Sequence, residues 1–382
     1  MLGGKPVILL NCTTDKVCQV NNTRQSGDPP IVGVARPADV SDPKLVVWTK
    51  DLNNPIVIDK KGGYSGPSNI WSPSPGKWSF VVILGKATAL DSTTDPTLHS
   101  SKQAPQPFFP HRGGGGGGGL FFPVPGTDEK LWMLQSDIGP SSDGIGYFAM
   151  GSYEKTREKF TQSSGAAGLG VLDFSGVNRF FELGYAPVAG GGKAQRLLQC
   201  GWAASAGATS TIVREVSYDA ELKELRGCPV PELATLRGAA LLNSTSSVVL
   251  KAGGKAVAVG SGAAAAASDA VLLIELPTAK MAGVMTISGD GSSKNLSLGM
   301  VGTKGKFSFS LPAAATEVEL RVLLDNVILE VFVAKGITAG TAGLKGLAPT
   351  DFAPAVRATQ GSVTIRSAQA WTMGCAYPAG GI

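Results

Sequence analysis

The sequence has little charge and almost no histidine. Charged residues make up 16% of its 382 residues, against about 25% in a typical soluble domain. The formal net charge is only +5, and no cluster of Lys and Arg is interleaved with aromatic residues, so we expect no nucleic-acid partner. No apolar run approaches the length of a membrane span, so we expect no membrane partner either.

Cysteine is also scarce, which argues against metal and redox chemistry. The five cysteines are odd in number and scattered, and no C-x-x-C pair occurs, so we expect neither a zinc site nor any other cofactor. Residues 1–7 (MLGGKPV) lack the charged region and the long apolar region of a signal peptide. The compartment and the oligomeric state stay open.

The abundant residues indicate a turn-rich, mostly β protein. Gly and Pro number 51 and 24, and they bound short runs of β-branched and aromatic residues. Runs of this kind cover residues 6–10, 45–48, 55–58, 78–84, 130–134 and 145–150. Their spacing is typical of antiparallel all-β architectures, and the one helix-like piece is residues 231–237. From about residue 240 the period-two alternation becomes cleaner, as in a sandwich, which predicts a boundary near residues 238–245.

Seven consecutive glycines stand at residues 113–119. This tract has no side chains to bury and loses the most backbone entropy on ordering, so we expect a flexible, exposed loop. A phosphate-binding loop would need a strand before it and a helix with Lys-Ser/Thr after it, and the sequence offers neither.

One hairpin carries a resemblance to a known family. Residues 320–336, LRVLLDNVILEVFVAKG, resemble the hairpin in the C-terminal β-sandwich of glycoside hydrolase family 32, which holds the invertases, β-fructofuranosidases, inulinases and levanases. Asp325-Asn326 is a turn-forming pair between two alternating strands. Trp371 and Met373 are similar to the Trp-x-Met of the family's closing strand.

Other stretches match the family in the same order along the chain. They are residues 42–57, 121–124 with 151–154, 172–176, 196–202, 213–215 and 229–237. The resemblance implies an all-β fold, a five-bladed β-propeller followed by a β-sandwich. It implies an incomplete propeller at residues 1–238, with the first blade not found, and a sandwich at residues 239–382.

The resemblance implies fructosyl-hydrolase chemistry, but the carboxylates that this chemistry needs are not found. Retaining glycosidases use two carboxyl groups about 5 Å apart, a nucleophile and an acid/base. The family's nucleophile element, W-M-N-D-P-N-G, does not occur in the sequence. Ser65 and Gly66 stand where the family has the Arg and Asp of R-D-P, and the acid/base Glu falls at about Gly117. We therefore expect this chain to be inactive as it stands.

Three residues are predicted to contact substrate, which the resemblance implies is sucrose or a fructan-type carbohydrate. Gln19 resembles a family glutamine of the fructose site, Ser65 occupies the R-D-P position, and Asp173 keeps its family position, where it shapes the pocket. Asp128 and Glu129 are interpreted as a solvated turn, since they follow a predicted strand and precede a lysine.

Three hypotheses follow for function. The chain is a β-fructofuranosidase-type hydrolase by descent, or an inactive relative that binds carbohydrate or protein, or a truncated fragment of an active enzyme. A W-M-N-D-P-N-G element immediately upstream in the genomic DNA would favour the fragment, and an intact transcript beginning at Met1 would favour the inactive relative.

The glycine tract yields a test that needs only the sequence. Limited proteolysis with trypsin is expected to cut first after Arg112, because that bond adjoins the glycine tract and proteases prefer exposed loops. Mass spectrometry of early fragments measures the order of cleavage. First cuts elsewhere, with Arg112 protected, would contradict the loop assignment.

Overall fold

The structure of the protein is a computed structural model. It describes residues 5–12, 31–58, 64–84, 87–110, 119–135, 146–163, 169–173, 177–187, 195–203, 209–251, 254–255, 257–258, 267–275, 283–288, 297–300, 308–309, 315–325, 328–343, 355–356 and 362–374. Gln19 and glycines 113–118 lie outside these residues, so the loop assigned to the glycine tract stays a prediction. Two compact units are formed, one by residues 1–170 with 179–182 and the other by residues 171–178 with 183–382.

Four successive antiparallel sheets occupy the first part of the chain. The first contains β1 (Ile8–Cys12), β2 (Ile31–Pro37), β3 (Trp48–Lys50) and β4 (Val57–Ile58). The second contains β5 (Tyr64–Pro67), β6 (Trp71–Ser74), β7 (Lys77–Leu84), β8 (Ala87–Thr93), β9 (Lys102–Gln103) and β10 (Phe109–Pro110). The strand order of the second is β10-β8-β7-β5, with β6 beside β7 and β9 beside β8.

The third and fourth sheets have the same antiparallel character. The third follows the order β11 (Leu120–Pro123), β12 (Trp132–Gln135), β13 (Gly146–Glu154) and β14 (Lys159–Gln162). The short strand β15 (Gly170–Asp173) comes next along the chain. The fourth contains β16 (Val177–Pro187), β17 (Gln195–Ala203), β18 (Thr209–Ser210), β19 (Arg214–Asp219) and β20 (Glu224–Pro229).

Strand β7 shows why these sheets form. Its central residues, 80–83, are apolar without interruption and at most 1% exposed, because both faces of the sheet are covered. Val82 packs with Val32 and Ile56 of the first sheet region, whereas its neighbour Val81 packs with Phe121 and Trp132 on the opposite face. A strand covered on both faces is a feature of propeller blades.

Aromatic rings fill the space between the second sheet and the third sheet. Phe121 lies at the centre, with its ring centroid 4.8 Å from both Trp71 and Trp132 and 5.1 Å from Tyr153. The Trp71 indole Nε1 donates to the Tyr153 hydroxyl at 3.0 Å, so the buried polar atoms of these two rings satisfy each other. These contacts make Trp71 and Trp132 part of the hydrophobic core.

The C-terminal region is also rich in strands. A 3-10 helix, Pro231–Leu236, precedes a seven-stranded sheet. That sheet contains β21 (Arg237–Ser244), β22 (Val248–Lys251), β24 (Ala267–Glu275), β28 (Glu317–Asp325), β29 (Ile328–Val333), β30 (Thr338–Gly343) and β32 (Ser362–Met373). Two small sheets contain β23 (Val257–Ala258) with β31 (Ala355–Val356), and β25 (Gly283–Ser288) with β26 (Ser297–Met300) and β27 (Ser308–Phe309).

Three motif residues that are far apart in sequence meet in the seven-stranded sheet. The Asp269 carboxylate, which is fully buried, accepts from Arg237 Nε at 2.7 Å and from Arg321 Nε at 2.9 Å. The Arg237 guanidinium lies 3.8 Å from the centroid of the Trp371 ring. The buried charge is therefore neutralised by two arginines, and one of them stacks on the tryptophan of the closing strand.

The sequence predictions for the fold are confirmed at a coarse level. The described chain is all-β with four propeller-type blades and a strand-rich C-terminal region, and residues 231–236 form the one short helix described. The hairpin predicted at 320–336 forms, with Asp325 opposite Ile328. No helix in the described residues is long and apolar enough to cross a membrane. The boundary at about residue 238 stays a prediction.

One carboxylate, that of Asp91, is buried in the second sheet. Asp91 on β8 lies opposite Phe80 of β7, is only 2% exposed, and its Oδ2 finds no hydrogen-bond partner among the described residues. Burial in these surroundings raises the pKa of Asp91 to about 6, from an ordinary value of 3.8. The folded protein therefore binds the Asp91 proton more tightly than the unfolded chain does.

Asp91→Asn is expected to stabilise the protein above pH 6 by about 2–3 kcal/mol, because it removes the cost of burying a charge. The gain should shrink as the pH falls from 6 and vanish below the ordinary pKa of 3.8, where wild-type Asp91 is protonated in both the folded and the unfolded state. Urea unfolding at pH 4.5 and pH 7.5 measures the difference. The control Asp128→Asn changes an exposed carboxylate and should give no pH-dependent gain. Equal effects of Asp91→Asn at both pH values would contradict the assignment.

Candidate functional site

The structure places two stretches that the resemblance links to a substrate site side by side in the first unit. Asn69 follows strand β5, and its amide Nδ2 donates to the Phe121 backbone oxygen at 2.7 Å. Its Oδ1 accepts from the Phe121 backbone N–H at 2.8 Å. A single side chain thus joins the stretch that matches R-D-P to the strand that follows the predicted acid/base position.

A second contact supports this juxtaposition. Gly119 precedes β11, and a Cβ added there would lie 3.3 Å from a Val81 methyl group and 3.8 Å from the Ser68 Cβ. The Ser68 hydroxyl accepts from the Val81 backbone N–H at 2.9 Å. The end of the glycine tract therefore packs directly against the segment that follows β5.

The residues at the R-D-P position offer no carboxylate. Ser65 lies on β5 opposite Ile83, and the register shifts by one residue before Pro67. Gly66 occupies the irregular position with φ of +44°, in the left-handed region that glycine tolerates best. The absence of a side chain at residue 66 suits this backbone, but it leaves no group to stabilise a sugar cation.

The carboxylates that follow β11 lie in a turn. Asp128 and Glu129 both have positive φ, of 49° and 58°, and the Lys130 N–H donates to the Thr127 oxygen at 2.9 Å. Both acidic residues are exposed, and Glu129 pairs with Lys155. This geometry agrees with the interpretation of a solvated turn, since positive φ at both central residues is characteristic of a type I′ turn.

Asp173 lies in a fully buried polar cluster in the second unit. Arg214 donates from Nη2 to Asp173 Oδ2 at 2.8 Å and to Glu330 Oε2 at 2.8 Å. The Thr341 hydroxyl donates to Asp173 Oδ2 at 2.6 Å. Asp173, Arg214 and Glu330 are at most 1% exposed. We call these four residues the Arg214 cluster.

The Arg214 cluster holds the fourth sheet against the C-terminal sheet within that unit. Glu330 Oε1 also accepts from the Ile212 backbone N–H at 2.7 Å, which ties β29 to the segment before β19. The Arg214 guanidinium carbon lies 4.9 Å from the centroid of the Phe332 ring. Apolar packing surrounds the contact, because Phe332 is buried against Leu323 and beside Ile212.

The charges of the cluster depend on one another. Burial raises the pKa of Glu330, and the Arg214 guanidinium offsets part of that rise. Burial works to lower the pKa of Arg214, but the carboxylates of Asp173 and Glu330 together raise it above its ordinary value. One guanidinium thus faces two carboxylates. Removal of Arg214 would leave the two carboxylates buried without a cation, and removal of both carboxylates would leave the guanidinium buried without an anion.

The structure describes two of the three residues that were predicted to contact substrate, Ser65 and Asp173. Gln19 lies outside the described residues. Ser65 is on β5, next to the segment that Asn69 joins to β11. Asp173 contacts Arg214 and Thr341 at full burial, with an observed structural role that the sequence did not indicate. A substrate role for each of the three stays a prediction.

The residues that organise these sites are not evident from the sequence alone. Arg214 and Glu330 belong to matched motifs, but their distance in sequence hides that they touch. Asn69 belongs to no matched motif, and an Asn before a predicted strand is normally interpreted as a turn former. No cluster of His, Cys, Asp and Glu suited to a metal ion occurs in the described part of the chain.

Comparison with known proteins identifies relatives of one kind. The chain is 26% identical to an acid β-fructofuranosidase of Phaseolus vulgaris over 188 residues, or 44% of this chain and 27% of the relative. It is 24% identical to the β-fructofuranosidase insoluble isoenzyme CWINV1 of Arabidopsis thaliana over 315 residues, or 74% of this chain and 51% of the relative. No family model matches the chain. The matches span only 25–30% of the length of the first three curated relatives.

Solved structures show the same fold. Fructan 1-exohydrolase IIa from Cichorium intybus aligns with 98% of this chain and 82% of its own, with a TM-score of 0.74 at 18% identity. Exo-inulinase from Aspergillus awamori aligns with 98% of this chain and 81% of its own, with a TM-score of 0.65 at 15% identity. At such identities the likeness establishes fold and not activity. Together with the curated relatives and the ordered motifs, it supports a relationship between the chain and glycoside hydrolase family 32, the family of the β-fructofuranosidases.

Arg214→Met is expected to lower the free energy of unfolding by about 3–5 kcal/mol, because it leaves two buried carboxylates without their cation. Urea unfolding with circular dichroism measures this loss. Arg366→Met is the matched control, since Arg366 is 53% exposed and pairs with Glu275 on the surface, so its loss should change stability little.

A double-mutant cycle separates the ion pair from general disruption. Arg214→Met combined with Glu330→Gln should cost less than the sum of the single changes, because the second change removes a carboxylate that the first left unpaired. Strict additivity would show that the two side chains do not interact.

Proposed function

We propose that this chain carries the fructoside-binding scaffold of the β-fructofuranosidases, but that residues 1–382 do not hydrolyse fructosides by themselves. The proposal for ligand class rests on the relatives. A structural neighbour, the fructan 1-exohydrolase IIa of Cichorium intybus, has been solved in complex with 1-kestose, and a β-fructofuranosidase of Bombyx mori in complex with sucrose. Sucrose or a fructan-type carbohydrate is therefore the proposed ligand.

One observation supports the loss of hydrolysis. The stretch equivalent to R-D-P and the strand after the acid/base position are neighbours, joined by the two hydrogen bonds of Asn69 to Phe121. The scaffold that would bring two carboxyl groups together is thus present, but Ser65-Gly66 and the glycine tract stand at the equivalent positions. Retaining hydrolysis requires a nucleophile and an acid, and we assign neither to this chain.

The finer architecture is part of the proposal. We assign residues 1–238 to a propeller of the five-bladed type without its first blade, and residues 239–382 to a β-sandwich. The four blade-like sheets and the seven-stranded C-terminal sheet support this division. The TM-score of 0.74 with the fructan exohydrolase supports the architecture as well.

Within this scaffold, Gln19, Ser65 and Asp173 are the residues proposed to form the carbohydrate site. Ser65 has the best structural support, because it precedes the segment that packs against Gly119 and Phe121. Asp173 acts through the Arg214 cluster in this proposal, since its carboxylate is fully buried. It would therefore shape the pocket wall and not touch the sugar.

A second candidate is a fragment of an active enzyme. The small share of the curated relatives' length that the chain matches favours it. Sequencing the genomic DNA and transcript upstream of Met1 separates the two candidates. A W-M-N-D-P-N-G element read in frame would favour the fragment, and its absence would favour the inactive carbohydrate-binding relative.

Residues 1–382 are expected to release no measurable reducing sugar from sucrose or inulin. Loss of general acid catalysis alone costs about 10²–10⁴-fold in rate, and loss of the nucleophile removes the covalent route. A reducing-sugar assay over several days, with an active invertase as the positive control, measures this. Fructose or sucrose should nevertheless raise the melting temperature if the binding scaffold is retained.

Turnover would contradict the proposal and would require a recruited carboxylate. Asp128→Asn, Glu129→Gln and Asp173→Asn would then identify it. The first two residues are exposed, so their loss should leave folding unchanged, whereas Asp173→Asn also needs a check of folding.

A further inference from the structure

A cavity lined wholly by residues of the first unit lies between the second and third sheets. Its volume is about 610 Å³, which is within the range of about 300–1,000 Å³ of small-molecule sites. Phe108 and Phe160 line it from the edge of the aromatic core, with their rings stacked at a centroid distance of 6.0 Å. Both rings are less than 10% exposed, so the apolar part of the cavity is fixed by the packing behind it.

One wall of the cavity is held rigidly by its backbone. The Ala104 N–H donates to the Leu90 oxygen at 2.8 Å, and the Phe108 N–H donates to the Thr88 oxygen at 2.8 Å. Between these anchors, prolines 105 and 107 fix the φ angles of a short bulging segment. A wall of this kind loses little entropy when a ligand binds.

The charged residues that line the cavity are mostly cations. Lys102 and Lys159 are exposed, and neither forms an ion pair with any described carboxylate. Arg157 adds a third positive charge, although it also lies 3.3 Å from Glu154 on the surface.

Glu158, the single carboxylate that lines the cavity, already forms hydrogen bonds to other side chains. Glu158 accepts hydrogen bonds from the Lys77 ammonium and from the Ser79 hydroxyl. Its charge is therefore largely neutralised from outside the cavity, and the cavity keeps a positive balance.

We propose that this cavity binds a small phosphorylated metabolite, with the phosphate at Lys102 and Lys159 and the body of the molecule against Phe108 and Phe160. Two ammonium groups match the charge of about −1.5 to −2 that a phosphomonoester carries at pH 7. The exposed Pro105 and Pro107, together with the small exposed part of the Phe rings, offer an apolar surface to the carbon face of a hexose or a similar body. This site goes beyond the fructoside-binding role proposed above, and neither depends on the other.

Isothermal titration calorimetry of the full chain with glucose 6-phosphate tests this proposal. We expect saturable binding of glucose 6-phosphate that weakens with added salt. Glucose and inorganic phosphate should each bind at least about tenfold more weakly, because glucose lacks the phosphate and inorganic phosphate lacks the sugar body. The double variant Lys102→Gln/Lys159→Gln should also lose at least about tenfold in affinity.

The control variant Lys130→Gln removes an exposed lysine from a turn outside the cavity and should bind within about twofold of the wild type. Equal affinity for inorganic phosphate and glucose 6-phosphate would mean an adventitious ion only and would overturn the proposal. Absence of binding, or unchanged affinity in a folded double variant, would also overturn it. Sucrose-induced stabilisation reports on the fructoside role separately.

Discussion

The structure of the second unit depends on compensation of charge that is buried in a low-dielectric core. Arg214 is fully buried and bonds to carboxylates from the strand before the fourth sheet and from the C-terminal sheet. Each partner alone would be costly to bury, so the cluster forms only when all the strands are correctly placed. The C-terminal sheet contains a similar cluster with the charges reversed, in which one carboxylate, Asp269, bonds to Arg237 and Arg321.

These clusters give a physical meaning to the motifs by which the chain resembles glycoside hydrolase family 32. Arg237, Arg321 and Trp371 come from three separate motifs and meet at Asp269. Motifs of this kind preserve the scaffold and not the reaction. A chain can therefore keep the fold of these relatives after it has lost groups needed for the reaction, as we propose for the positions of Ser65, Gly66 and the glycine tract.

Sequence reasoning predicted the fold where the physics is local. Uninterrupted apolar runs such as residues 80–83 indicated strands, and the Asp325-Asn326 pair indicated the hairpin between β28 and β29. Contacts between residues that are far apart in the sequence could not be predicted in this way. The partners of Asp173 are 41 and 168 residues away, and nothing in the spacing reveals them. The clamp of Asn69 on Phe121 and the cavity at Phe108 and Phe160 likewise depend on which strands become neighbours.

The central claim is that the scaffold binds fructosides without cleaving them. Saturation-transfer proton NMR of sucrose mixed with residues 1–382 tests both halves of this claim in one sample. The account predicts transfer of saturation to the sucrose protons, while the anomeric signal of sucrose keeps its intensity over several days. Decay of that signal, with free glucose and fructose appearing, would contradict the account.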